Sequence, residues 1–235
     1  MSKGFKNAGC EVIHAIDNWA EAVEVYRKNV GPAQLADLKN IADIIPLLFN
    51  LRPDLIAGGP PCQDYSAAGL RKEGERADLT SAFAMVVSIV KPTWFAMENV
   101  PDALKSKAWK QAEAILRHAG YGFTIETLDA AFYGTGQRRK RLIVIGRLGE
   151  TDGFLADALR SAATKEPMAA RESLGEMASD IFYVHPRHMH KRRLFSVDEP
   201  APTVRSTYSR RVPHDYAPIA NDAKWTCFGK VERFS

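Results

Sequence analysis

The chain has 235 residues, 46% of them hydrophobic and 26% charged, which suits one large domain or one domain with a small appendage. No apolar run approaches the ~18 residues of a membrane span and the first residues lack a signal-peptide core, so a membrane or secreted protein is not indicated. Cys10, Cys62 and Cys227 are odd in number and far apart. That argues against a disulfide framework and a CxxC metal site, and fits a reducing cytoplasm with one thiol available for chemistry.

Through residue 147, strand-like and helix-like segments alternate. Val12–Ile16 predicts a short strand and Trp19–Asn29 an amphipathic helix. Pro53–Ala57 predicts a buried strand running into Gly58-Gly59-Pro60-Pro61. Thr80–Val90 is an apolar helix closed by Lys91-Pro92, and Trp94–Met97 another buried strand. Asp102 can cap a helix that runs to His118, with Gly120 as its stop. Thr124–Ala130 and Leu142–Ile145 complete the strands, the last two open to antiparallel pairing. Alternation of this kind implies crossover units and a mostly parallel sheet with helices on both faces, in which ligands bind at the carboxyl ends of the strands. After Gly149 the apolar periodicity weakens. Residues 150–235 hold six prolines and many arginines, and are expected to form a loop-rich region. The expected division is 1–149 and 150–235.

Net charge is +4, and its distribution is more informative than its size. Residues 137–147 hold five basic side chains and no acidic one, and residues 185–213 add a second basic patch that includes Arg192, Arg193 and Arg205. Such patches suit a polyanion, although a solvated charged surface would look the same.

Three elements carry chemistry. Cys62 follows a buried strand on a loop with two glycines, for close approach of the backbone, and two prolines for stiffness. It is placed like a nucleophile, though a lone cysteine is more often a small buried hydrophobe. Glu98 and Asn99 come directly after the strand Trp94–Met97. If the two strands are neighbours, the carboxylate shares an edge with Cys62, and apolar walls there would let it hold a proton near neutral pH; loop bracing is the plain alternative. In Gln137-Arg138-Arg139-Lys140-Arg141, an extended run would turn Gln137, Arg139 and Arg141 to one face, suited to bidentate bonds with phosphate or a base carbonyl.

In order and spacing, PCQ at 61–63, ENV at 98–100 and QRRKR at 137–141 resemble the motifs of the DNA (cytosine-5) methyltransferases. Flanking segments extend the resemblance over residues 4–147. Asp17 resembles the family's ribose-binding acid and Asn18 lies where adenine stacks. Asp37-Leu38 resembles the site of the adenine amino group, and Asp78-Leu79 a motif lining the cofactor pocket. Pro200-Ala201-Pro202-Thr203-Val204 is similar to a turn of the target recognition domain. The resemblance implies a Rossmann-like α/β methyltransferase fold, S-adenosylmethionine as cofactor and double-stranded DNA as partner, in a prokaryotic or phage-encoded cytoplasmic enzyme of a restriction-modification system. It implies catalytic roles for Cys62, Glu98, Asn99, Arg139 and Arg141. It places Phe5, Asp17, Asn18, Asp37, Leu38, Gly59, Pro60 and Leu79 at the cofactor, and Gln63, Ser66, Gln137, Arg192, Arg193, Thr203 and Arg205 at the DNA. No metal is implied.

The chemistry has a physical rationale. Carbon 5 of cytosine is a poor nucleophile until the Cys62 thiolate adds to carbon 6, and a protonated Glu98 at N3 relieves the charge that then builds on the ring. The target base must leave the stack to be reached. Two family features are not matched: a strand and FxGxGG turn ahead of the segment at 1–5, and the last two motifs, which 223–235 do not resemble. The expectation is a truncated chain with weak cofactor binding, or one half of a two-chain enzyme. The rival readings are an RNA (tRNA) cytosine-5 methyltransferase and an inactive DNA-binding fragment.

Overall fold

A computed structural model describes residues 1–60, 78–175, 180–183 and 194–203. The chain packs as two compact units, Met1–Glu126 with Leu142–Ala156, and Thr127–Arg141 with the described residues from Asp157 on.

The first unit opens with helix α1 (Ser2–Asn7), followed by strand β1 (Ala15–Asp17), α2 (Ala20–Asn29), β2 (Ala33–Leu35) and α3 (Ile41–Leu51). Strand β1 begins three residues later than the apolar pattern suggests, because its hydrogen-bond ladder starts with Ala15 N–H donating to Pro32 O. β1 and β2 are parallel, with Asp17 opposite Leu35. The sequence pattern marks neither α3 nor β2, since Pro46 inside α3 reads as a breaker and β2 is three residues long. Ile44 of α3 is nonetheless fully buried.

The larger sheet has the order β3-β4-β6-β5, from β3 (Leu55–Gly58), β4 (Trp94–Asn99), β5 (Tyr121–Asp129) and β6 (Lys140–Leu148). β3 and β4 are parallel and β4 and β6 antiparallel, so the sheet is mixed. Gly149 N–H donates to Gly120 O at one end of the β5–β6 pair and Ala130 N–H to Arg139 O at the other, which runs these two strands in opposite directions.

α4 (Asp78–Val90) and α5 (Lys107–His118) pack together to cover one face of the sheet. Phe95 and Met97 of β4, Leu142 and Val144 of β6, and Trp109, Ala112 and Leu116 of α5 share the core. Phe95 meets Tyr121 and Phe123 edge-on, at centroid distances of 5.2 and 6.1 Å, a geometry aromatic quadrupoles favour. α5 starts later than Asp102 suggested. Pro101–Lys105 form a 3-10 turn, and the cap is Ser106, whose Oγ accepts from Trp109 N–H at 2.9 Å. Gly120 ends the helix as expected, with φ +95°.

Two glycines set the packing distances. A Cβ on Gly58 would lie 2.5 Å from Phe83 Cε2, so Gly58 accommodates α4 and not a ligand. A Cβ on Gly146 would lie 2.0 Å from Phe95 Cε1.

In the second unit, α7 (Ala170–Leu174) is tied to the residues that flank the antiparallel pair β7 (Ile181–Tyr183) and β8 (Leu194–Ser196). Arg171 Nε donates to Asp198 Oδ1 at 2.6 Å and Nη2 to Asp180 Oδ1 at 2.8 Å. α6 (Ala156–Ser161) precedes them. No described helix is long and apolar enough to cross a membrane.

Gly146→Ala should cost about 1–3 kcal/mol, as overpacking around a fixed ring does, read by urea denaturation. A second test uses acid. Asp152 accepts from Phe123 N–H and from Arg117, and these bonds hold its carboxyl below the ordinary range. A lowered carboxyl pKa contributes stability above the unfolded value of about 4 and loses it as pH falls. Asp152→Asn should flatten the decline in stability measured below about pH 5 relative to the parent.

Candidate active site at the carboxyl ends of the strands

The parallel register of β3 and β4 pairs Gly58 with Met97, so the next residues, Gly59 and Pro60, run beside Glu98 and Asn99. The condition set by the sequence, that these strands be neighbours, is met. Glu98 and Asn99 do not follow β4, however. They are its last two residues, held in the strand because Ile143 and Leu142 of β6 pair with them.

Alternation along β4 sends the two side chains to opposite faces. Asn99 is 2% exposed, on the side of Phe95 and Met97. Its Nδ2 donates to Pro60 O at 3.4 Å and its Oδ1 accepts from Val100 N–H at 2.8 Å. The carboxamide therefore ties the backbone at Pro60, just past β3, to the end of the next strand. Glu98 is half-buried beside Gly59, where a Cβ would stand 3.5 Å from Glu98 Oε2. An acid group thus lies against the backbone that leads to Cys62.

A second cluster lies at the carboxyl ends of β1 and β2. Asp17 closes β1 and is exposed, its Oδ1 accepting from Trp19 N–H at 2.9 Å, with Asn18 exposed beside it. Asp37 and Leu38 follow β2 and are half-buried. Asp37 Oδ1 accepts from Lys39 N–H, and Leu38 packs on the main core. The parallel register puts both carboxylates at one edge. Trp19, which the sequence reading passed over as a helix start, is 62% exposed next to them. Phe5 is half-buried in α1, and Leu79 is buried in the first turn of α4.

In the second unit, burial alternates along the basic run. Gln137, Arg139 and Arg141 are half-buried, while Arg138 and Lys140 are exposed and line an open hollow of about 360 Å³ with Phe132 and Tyr133. The expected sharing of a face is therefore present. The run is held extended by Ala201, which bridges Gln137 in parallel, and by Thr203, whose Oγ1 donates to Arg138 O at 2.8 Å. Asp129, which the sequence reading passed over, accepts from Arg139 N–H at 2.9 Å; its signal was a carboxylate at the end of the strand that pairs with the arginine strand. Cys62, Gln63, Ser66, Arg192, Arg193 and Arg205 lie outside the described residues. Among the described residues no His, Cys, Asp and Glu cluster suits a metal ion.

The family model for C-5 cytosine-specific DNA methylases matches residues 1–222. The chain belongs to this family. It is 39% identical over 234 residues to the type II methyltransferase M.HindV of Haemophilus influenzae, spanning 98% of this chain and 77% of that one. It is 41% identical over 226 residues to M.HgiDI of Herpetosiphon aurantiacus, spanning 95% and 73%. Among solved structures, the S. pombe Dnmt2 methyltransferase superposes with a TM-score of 0.60 at 23% identity, over 76% of this chain and 57% of that chain. A putative DNA modification methyltransferase from an E. coli prophage superposes at 0.59 and 22%, over 81% and 58%. The fold is thus the α/β methyltransferase fold of this family, and the chain spans less than two thirds of those solved chains.

Asn99→Ala would leave the Pro60 carbonyl and the Val100 amide without their side-chain partner in a buried place. The expected loss is about 1–3 kcal/mol in chemical denaturation. A variant as stable as its parent would contradict the tie described here.

Proposed function

We propose that the chain transfers a methyl group from S-adenosylmethionine to carbon 5 of a cytosine flipped out of double-stranded DNA, with Cys62 as covalent nucleophile. The observation that carries this reading is the side-by-side placement of Glu98 and Asn99 with Gly59 and Pro60, two residues ahead of Cys62. The family match supports DNA over RNA as the substrate.

The residues present fit the cofactor. Two carboxylates at one sheet edge can accept from ribose hydroxyls (Asp17) and from an adenine amino group (Asp37), and the exposed Trp19 beside Asn18 offers an apolar face for stacking. Phe5, Leu38, Gly59, Pro60 and Leu79 complete the proposed binding set. When bound, S-adenosylmethionine supplies an electrophilic methyl group.

The chain's own residues do the rest. The Cys62 thiolate forms a C–S bond at carbon 6, and the displaced ring electrons make carbon 5 nucleophilic. Glu98 holds a proton at N3 and offsets the charge on the ring. Asn99 fixes the loop backbone through Pro60. Arg139 donates to the base carbonyl, and Arg141 adds a second guanidinium to that face. Once carbon 5 carries its methyl group, water or hydroxide takes its proton, the C–S bond breaks and Cys62 leaves as thiolate. Gln63, Ser66, Gln137, Arg192, Arg193 and Arg205 are assigned to the DNA, with residues 1–149 as catalytic region and 150–235 as recognition region.

The test is a covalent trap. With cofactor and duplex DNA carrying 5-fluorocytosine, whose carbon 5 has no proton to lose, mass spectrometry should find DNA attached to Cys62. Cys62→Ala should abolish the adduct, and Glu98→Gln should slow its formation by about 100-fold or more. An adduct with fluorinated RNA and none with DNA would transfer the assignment to RNA.

A further inference from the structure

The peptide unit between Arg138 and Arg139 is gripped by side chains on both sides. Its carbonyl accepts from Thr203 Oγ1 at 2.8 Å, and its N–H donates to Asp129 Oδ1 at 2.9 Å. The flanking backbone is held too. Arg138 N–H donates to Ala201 O at 2.8 Å, Ala201 N–H to Gly136 O at 2.9 Å, and Ala130 N–H to Arg139 O at 3.1 Å. Gly136 N–H donates to Ser173 Oγ at 3.1 Å. Gly136 also abuts α7 so closely that a Cβ would meet Ala169 O at 2.6 Å.

The bonding on either side of Arg139 comes from two distant stretches of chain. Asp129 belongs to the end of β5, and its carboxylate also accepts from Ala131 N–H. Ala201 and Thr203 follow the turn at 197–199, which α7 anchors through Ala170 N–H to Glu199 O and Arg171 N–H to Val197 O. The plane of one peptide fixes the direction in which the next side chain leaves the backbone. Here that side chain is Arg139, on the half-buried face with Gln137 and Arg141.

We infer that Thr203 and Asp129 are positioning residues that aim Arg139 by clamping the Arg138–Arg139 peptide, and that Thr203 thereby links the recognition segment to the residue that holds the base. This rests on the proposed role of Arg139. The Thr203 hydroxyl proton is committed to Arg138 O, so its contribution falls on the chemical step and not on DNA affinity.

The experiment is single-turnover methylation with saturating cofactor and DNA, alongside DNA affinity and thermal melting of the same proteins. Thr203→Val removes the donor at constant shape. It should slow the step by about tenfold, the scale expected of a small misplacement, with DNA Kd changed less than about twofold. Thr203→Ser should restore the rate. In an Arg139→Ala background, which should itself be about 100-fold slow, Thr203→Val should have no further effect, because the clamp then has nothing to aim. A weakened Kd with an unchanged step would show that the hydroxyl serves DNA and overturn the inference. So would an equal loss from Thr203→Val with and without Arg139. If Arg139→Ala leaves the rate intact, the base-holding role itself fails, and the two failures are told apart. Should Thr203→Val not fold, Asp129→Asn keeps an acceptor for Arg139 N–H and should retain most of the rate while Asp129→Ala loses it; equal rates for the two would refute the clamp.

Discussion

The parallel pairing of β3 with β4 is the constraint on which the proposed chemistry depends. It is a long-range pairing, between segments nearly forty residues apart, and its register decides which side chains can cooperate. A slip of one residue would reverse the faces of Glu98 and Asn99, burying the acid and exposing the amide. The register is made secure from the core side. Phe95 and Met97 are almost wholly buried on one face of β4, and Phe95 is packed against Tyr121, Phe123 and the bare backbone of Gly146. Core packing and site geometry are therefore one problem in this strand: the residues that hold β4 in place also fix where its last two residues point.

The family was more legible in the sequence than the boundaries of the scaffold's elements were. Cysteine, glutamate and arginine runs are recognisable because their chemistry restricts which residue types can stand there, and their order along the chain carries the family. Strand and helix existence for 94–97, 80–90 and 142–145 followed from continuous apolar runs. Boundaries failed where hydrogen bonding, invisible in the pattern, overrode it. β4 continues through two polar residues because β6 pairs with them, and α5 begins at Lys107 because Ser106 satisfies the otherwise free amide of Trp109 in its first turn. The contributions of Asp129 and Thr203 were hidden for a different reason. Asp129 acts on a backbone N–H 10 residues along the chain and Thr203 on a backbone carbonyl 65 residues away, and backbone recognition leaves no trace in residue identity at the receiving end.

The two ends of the proposed base-binding machinery are stabilised by different means. Asn99 grips a carbonyl from within a packed core, where an unpaired polar group is costly and the bond is well protected. The arginine run is braced by a lattice of short backbone bonds at half-exposed positions, each worth little alone.

The neighbouring glycines 58 and 59 answer to separate selections. The first is confined by Phe83, so any side chain would push a helix off the sheet, whereas the second has ordinary room around it and faces the carboxylate of Glu98. Variation tolerated at these adjacent positions should therefore diverge between lineages. Position 58 is constrained by the helix packed behind it, while position 59 is constrained by the carboxylate it faces and by its place in the proposed cofactor site.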